Sequence, residues 1–227
     1  MKADNPLIVI LRLATKDLII ELRRPHELLS IIAFTLSSII VSSFSWRTVL
    51  NLDPIVVSAT LWMVIYFASI LMLTTSFARE VDRGTIDGIR SLPCPPYTVI
   101  AGKMIYGMIT LFIILASLLV SSMFFLNLEI SLIPALSMVL LLGAIDFAVI
   151  GSIMSAILMY SEGKNLLLAF LFFPVSIPIL LPGIQAGAKV LSNMSITSLL
   201  PEVRLLVAFM LVVATVSMTL FKEVFLE

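Results

Sequence analysis

The chain has 227 residues, of which 60% are hydrophobic and 12% charged, with a mean hydropathy of +1.17. A soluble domain carries about 25% charged residues, so this composition excludes one. Fourteen basic residues balance fourteen acidic ones, so no bulk field points to nucleic acid.

In chain order, residues 6–24 read as an amphipathic helix. Leu7, Leu11, Ala14, Leu18 and Leu22 recur at steps of four and three and share a face. Arg12, Lys16 and Arg23 fall on another. The pattern fits a helix lying in a membrane interface, or one packed on neighbouring protein. Arg24-Pro25 ends it, because the residue before proline disfavours the helical region. The charges at Arg12, Lys16 and Asp17 interrupt any signal-like apolar run, so residues 1–27 are expected to stay on the protein.

Six apolar runs follow, at 28–46, 54–77, 104–126, 134–159, 166–181 and 203–221. Each approaches the roughly 20 residues a spanning helix needs. They are continuous rather than alternating, which argues against a β-barrel. The fold class is therefore an all-α membrane protein. Residues 1–27 are expected to form an interfacial helix, and 28–227 a six-helix transmembrane domain with a loop at 78–98. With both termini inside, eleven Lys and Arg fall on the cytoplasmic side, Lys2, Arg24 and Lys222 among them. Three, including Arg47, fall outside. This asymmetry predicts cytoplasmic N and C termini.

The first span carries Thr35, Ser38, Ser42 and Ser45 on one face, either bonding between helices or lining a pathway; Trp46 marks its outer end. The fourth carries Ala144, Ala148, Ser152 and Ala156, with Gly151 and Ser155 beside them. This is a close-packing face, within one subunit or between two. Pro174, Pro178 and Pro182 predict a short, kinked fifth helix, and a partly apolar segment at 183–201 that dips back into the outer leaflet.

Asp146 is the one formal charge well inside a predicted span. A carboxylate there costs about 2.5–3.5 kcal/mol on insertion scales, which makes it a candidate for proton coupling, substrate contact or a structural hydrogen bond. His26, the sole histidine, reads as an interfacial polar residue, and Cys94 as an incidental thiol. No phosphate-binding loop, zinc signature or serine-nucleophile motif is present, and the twelve methionines are scattered. No enzyme activity, bound metal or bound cofactor is expected of this chain.

The loop between the second and third runs is the densest feature. Residues 78–93 hold six of the 28 charges: Arg79, Glu80, Asp82, Arg83, Asp87 and Arg90, interleaved with Gly84-Thr85 and closed by Pro93. A solvated turn would account for the arginines but not for the acidic residues set around Gly84-Thr85.

Followed by Ala101-Gly102-Lys103, this run resembles permeases of type-2 ABC exporters, with Ile86-Asp87 standing where Leu-Glu is usual. Within that superfamily the chain resembles the haem exporter protein B family of cytochrome c maturation. The resemblance rests on chain length, on the lead-in Asp17, Glu21-Leu22-Arg23-Arg24 and Glu27-Leu28-Leu29, on the charged loop Ser161-Glu162-Gly163-Lys164, and on Phe173-Pro174 to Pro178. It implies a multi-pass plasma-membrane permease subunit, paired with a second copy and driven by a separate ABC ATPase that holds the ATP. The coupling residues it implies are Arg79, Glu80, Asp82, Arg83, Gly84, Thr85, Asp87 and Arg90. It further implies haem as a substrate and a haem-handling maturation protein as a partner in the membrane. The alternatives are an exporter permease for a drug, lipid or polysaccharide, a non-cycling scaffold, and an ion-coupled carrier built on Asp146.

Overall fold

The computed structural model describes residues 6–23, 25–46, 53–73, 77–91 and 93–226. The sequence expectations on Lys2, Arg24 and Arg47, and on the side chain of Lys222, lie outside the described residues. All regular structure among the described residues is helical. Helix α1 (Pro6–Arg23) is followed by α2 (Pro25–Trp46) and α3 (Pro54–Leu73). Two five-residue helices, α4 (Ala78–Asp82) and α5 (Ile86–Arg90), come next. The chain ends with α6 (Pro96–Leu126), α7 (Ile133–Ile157), α8 (Lys164–Leu191) and α9 (Leu200–Leu226). Among the described residues six segments are long and apolar enough to cross a membrane, and they correspond to the six predicted runs.

The helices form one bundle. Helix α7 packs against α6, α8, α9 and α3, and α2 is held by α6 and α3. Phe77 stacks near Phe221, and its backbone N–H donates to Ser155 Oγ. The loop helices, the end of α7 and the end of α9 therefore share one end of the bundle. Helix α1 packs along the base of α6 at that same end, referred to below as the α1 end.

The small-residue face of α7 resolves to packing within the subunit. Ala144, Ala148, Ser152 and Ala156 are all buried. A Cβ on Gly107 of α6 would touch the Ala148 side chain at 3.4 Å. The hydroxyl stripe of α2 takes a different role from interhelical bonding. Thr35, Ser42 and Ser45 donate to carbonyls one turn back in their own helix, and the cross-helix bond comes from Ser43, to the Phe125 carbonyl of α6.

The fifth span departs most from expectation. Instead of a short kinked helix, α8 runs unbroken through Pro174, Pro178 and Pro182 to Leu191. The first half of the segment expected to re-enter the bilayer, 183–191, is thus the end of α8, followed by a 3₁₀ turn at Ile196–Leu199. The physical reason is close packing on α3. A Cβ at Gly183 would lie 2.3 Å from the Trp62 ring, and one at Gly187 2.3 Å from Ser58 Oγ. Ser58 donates to the Ile184 carbonyl at 2.8 Å. Trp62 also fills a notch left by Gly143 of α7, where a Cβ would approach its ring to 2.2 Å. A fully buried indole seated on two glycine-bearing helices holds the proline helix in place where neighbouring protein can satisfy its loosened backbone.

Gly183→Ala is expected to cost about 1–3 kcal/mol, because the indole has no space to yield into. Gly88→Ala, whose Cβ meets nothing within 4 Å, should leave stability near the parent value. Thermal unfolding of the two variants in detergent, followed by monodispersity, checks the contrast.

Candidate functional site

The site forms where the sequence of α1 turns its inner face toward α6 and the loop. The apolar side chains Leu7, Leu11 and Leu22 point outward and are exposed, as an interfacial helix requires. The inward stripe is Ala14, Asp17 and Glu21, at steps of three and four, and all three are buried. Small side chains bring the two helices together: a Cβ on Gly102 of α6 would press to 2.9 Å from Leu13 Cβ and 3.2 Å from the Ile10 carbonyl. That close approach sets Lys103, the next residue, against Asp17.

Four charges meet at this crossing. Lys103 Nζ lies 2.9 Å from Asp17 Oδ2 and 3.2 Å from Glu80 Oε1. Lys16 Nζ lies 2.8 Å from the same Glu80 oxygen and 3.2 Å from Asp17 Oδ1. The quartet is neutral, which allows Asp17, Glu80 and Lys103 to be buried together. Burial pushes the Glu80 carboxyl up, but the Lys103 charge and hydrogen bonds from Lys16 and Thr85 outweigh it and hold the group down at about 2. Lys16 is raised: burial works against its charge, and the hydrogen bond to Glu80 and the nearby Asp17 overcome it.

Beside the quartet, Arg79 reaches two helices at once. Its Nη1 donates to Glu21 Oε2 of α1 at 2.9 Å, and its Nη2 to Glu27 Oε2 of α2 at 2.7 Å. Tyr106 of α6 donates its hydroxyl to the same Glu21 oxygen at 2.9 Å. Burial opposes the Arg79 charge, and Glu21 more than restores it, so the guanidinium is raised.

Gly84 makes the turn between α4 and α5. Its φ is +66°, in the left-handed region glycine tolerates. The Gly84 N–H donates to the Val81 carbonyl and the Thr85 N–H to the Glu80 carbonyl, the paired bonds of a Schellman close. Thr85 also donates its hydroxyl to the Glu80 carboxylate. In α5, Ile86 and Ile89 are buried against Phe77, Ile100 and Met104. Arg83, Gly84, Thr85, Asp87 and Gly88 are exposed. Arg90 lies over the Tyr160 ring at 5.6 Å, and Asp82 accepts from Lys164 at 2.5 Å.

The eight loop residues singled out from sequence thus divide. Arg79 and Glu80 turn inward as anchors, while Arg83, Gly84 and Asp87 form an outer rim. Six participants lie outside the loop: Lys16, Asp17, Glu21, Glu27 and Lys103, which the sequence showed on the polar face of α1 or in the family motifs without assigning them to the site, and Tyr106, which it did not single out. The usable signal was Asp17 and Glu21, four apart and in line with Ala14, on a flank of the leucine face and away from Arg12 and Arg23.

Asp146 stands apart from this cluster. It is 1% exposed in α7, and neither carboxylate oxygen has a hydrogen-bond partner among the described residues. It is not alone as a buried charge on a spanning helix: Lys103 of α6 and Glu202 of α9 are buried too. His26 is largely exposed, at the α1 end beside Glu27. No group of three or more His, Cys, Asp or Glu suited to a metal ion occurs among the described residues.

Six helices long and apolar enough to cross a membrane among the described residues, with a short helical hairpin tied by ion pairs to one end of their bundle, make this a multi-pass membrane protein. The family model described as CcmB protein matches residues 8–222. The chain belongs to this haem exporter protein B family, whose members are permease subunits of an ABC transporter system in cytochrome c biogenesis. A comparison with curated proteins found no match.

Because the folded Glu80 group is depressed from its ordinary 4.5 to about 2, its stabilisation is present above pH 4.5 and is lost as pH falls toward 2. The parent should therefore exceed Glu80→Gln by on the order of 3 kcal/mol near pH 6, with the gap closing in acid. Equal pH dependence of thermal unfolding for the two proteins would contradict the pairing. For Asp146, replacement by Leu removes two unpartnered oxygens and should raise stability by about 1–3 kcal/mol in the same assay.

Proposed function

We propose that this chain is the permease subunit of an ABC-type exporter in cytochrome c maturation, cycled by a separate ATPase that docks on α4 and α5. The α1 end then faces the cytoplasm of a prokaryotic plasma membrane, in keeping with the excess of Lys and Arg assigned to that side. Two copies of the chain would pair with two ATPase subunits. The complex would act with a haem-handling membrane protein and release a haem-loaded chaperone on the far side.

The observation that carries this reading is the division of the loop. A rim of Arg83, Asp87 and Gly88 is exposed, while Arg79 and Glu80 are tied by ion pairs to α1, α2 and α6. Pressure on the rim is delivered to three helices through short, charge-assisted bonds rather than dissipated in a soft loop. ATP-driven closure of a partner can thereby bias the bundle between two arrangements.

A second reading, an ion-coupled carrier, draws on the partnerless carboxylate of Asp146. Its weakness is the absence, among the described residues, of a broken-helix pair of the kind such carriers use.

Co-reconstitution with the cognate ATPase separates the readings. Asp87→Lys should weaken ATPase co-purification by about tenfold, since it reverses a rim charge. Glu80→Gln should retain the ATPase but lose its coupled turnover. If Glu80, Gly84 and Asp87 variants all keep coupled activity, the docking reading fails. Function that persists with a hydrolysis-dead ATPase would instead favour a scaffold, and loss confined to Asp146→Asn would favour the carrier.

A further inference from the structure

The α1 end holds a cavity of about 410 Å³ that the coupling cluster does not fill. Its polar wall comprises Glu21, Glu27, Asp82, Arg79, His26 and Asn165, and its apolar wall Ile31, Leu71 and Met72. Leu71 also lines a second space, a groove of about 610 Å³ between α2 and α3. That groove is walled mainly by Phe34, Val41, Met63, Phe67 and Ile70, and Ser38 also lines it. A polar chamber at the end of the bundle and an apolar groove along its side thus share Leu71 as a wall.

The dimensions match one leaflet. From Thr60 to Leu71 the groove follows eleven residues of α3, a rise of about 16 Å. Half of a hydrocarbon core about 30 Å thick is about 15 Å. Phe67 and Leu71 are more than 40% exposed, so the groove is open along its length to whatever lies beside the bundle.

The charges choose the head. Three carboxylates line the chamber, and Arg79 already bonds two of them, Glu21 and Glu27. Lys164 pairs with the third, Asp82. Among the described residues, three negative charges against two positive leave one carboxylate in excess. A cationic group is favoured in the chamber, and an anionic one is opposed by the surplus and finds Arg79 engaged.

From this juxtaposition we infer that the chamber and groove together bind one phospholipid with a primary ammonium headgroup, drawn from the leaflet at the α1 end. Its head sits among Glu27 and Asp82, and a tail lies between α2 and α3. The lipid would bridge the coupling helix and α2, although the assignment does not depend on the ATPase reading.

The test is native mass spectrometry of the full chain in detergent, titrated with phosphatidylethanolamine and phosphatidylglycerol bearing the same palmitoyl and oleoyl chains. The ethanolamine lipid should be retained roughly fivefold better, the scale of one favourable charge pairing at a half-exposed site. Glu27→Gln should bring its retention down to that of the glycerol lipid. Ser38→Phe, which fills the groove without touching the chamber, should lower retention of both while leaving their ratio. Equal retention of the two lipids by the parent protein would overturn the assignment, whether or not either variant folds. So would a two-chain species free of lipid, which would place a second copy in the groove.

Discussion

The arrangement depends on one crossing, where α1 passes over α6 close enough for Gly102 to admit its backbone and for Lys103 to reach Asp17. Burying an ion is costly, and a buried pair returns that cost only when geometry and neighbours are good. Here the cost is met by sharing. Each carboxylate of the quartet faces two ammonium groups and each ammonium faces two carboxylates. Removing any one member strands charge in a place with little water, so the cluster behaves as a unit. It fixes where the loop begins, since Glu80 is both a member and the residue whose carbonyl closes the turn at Gly84.

Much of the fold was legible because a membrane simplifies the reading. Continuous apolar runs have no soluble explanation, and all six became helices. What misled was local propensity applied where tertiary contact governs. Three prolines spaced four apart promise a broken helix, yet α8 continues, because Trp62 and Ser58 of α3 meet glycines 183 and 187 at contact distance. Proline weakens a helix from within, but it says nothing about the neighbours that hold it straight. The hydroxyls of α2 misled in the opposite sense. Their periodic stripe invited cross-helix bonding, and the carbonyl one turn back in the same helix was the nearer acceptor.

The site was half legible for a related reason. Periodicity displays the apolar face of α1 and leaves its other faces undifferentiated. Arg12 and Lys16 lie on the polar side in any helical projection, but only the position of α6 turns Asp17 and Glu21 inward. The loop itself was visible as a density of charge. Its division was not: Asp87 is displayed because Ile86 and Ile89, three apart, bury one side of α5, and Arg79 and Glu80 turn inward because α1, α2 and α6 supply their partners. A five-residue helix with two isoleucines down can only show the residues between them.

Arginine at position 79 carries a further consequence. Its planar fork gives Nη1 to Glu21 and Nη2 to Glu27, which belong to different helices, α1 and α2. A lysine would present a single charge centre and could not hold both carboxylates with the same directional definition. The two helices pack on each other less than either does on α6. Arg79 is therefore a cross-brace from the loop to both of them. A loop braced in this way cannot shift toward one helix without drawing on the other. This property distinguishes a lever, which moves helices together, from a tether that merely limits how far they part.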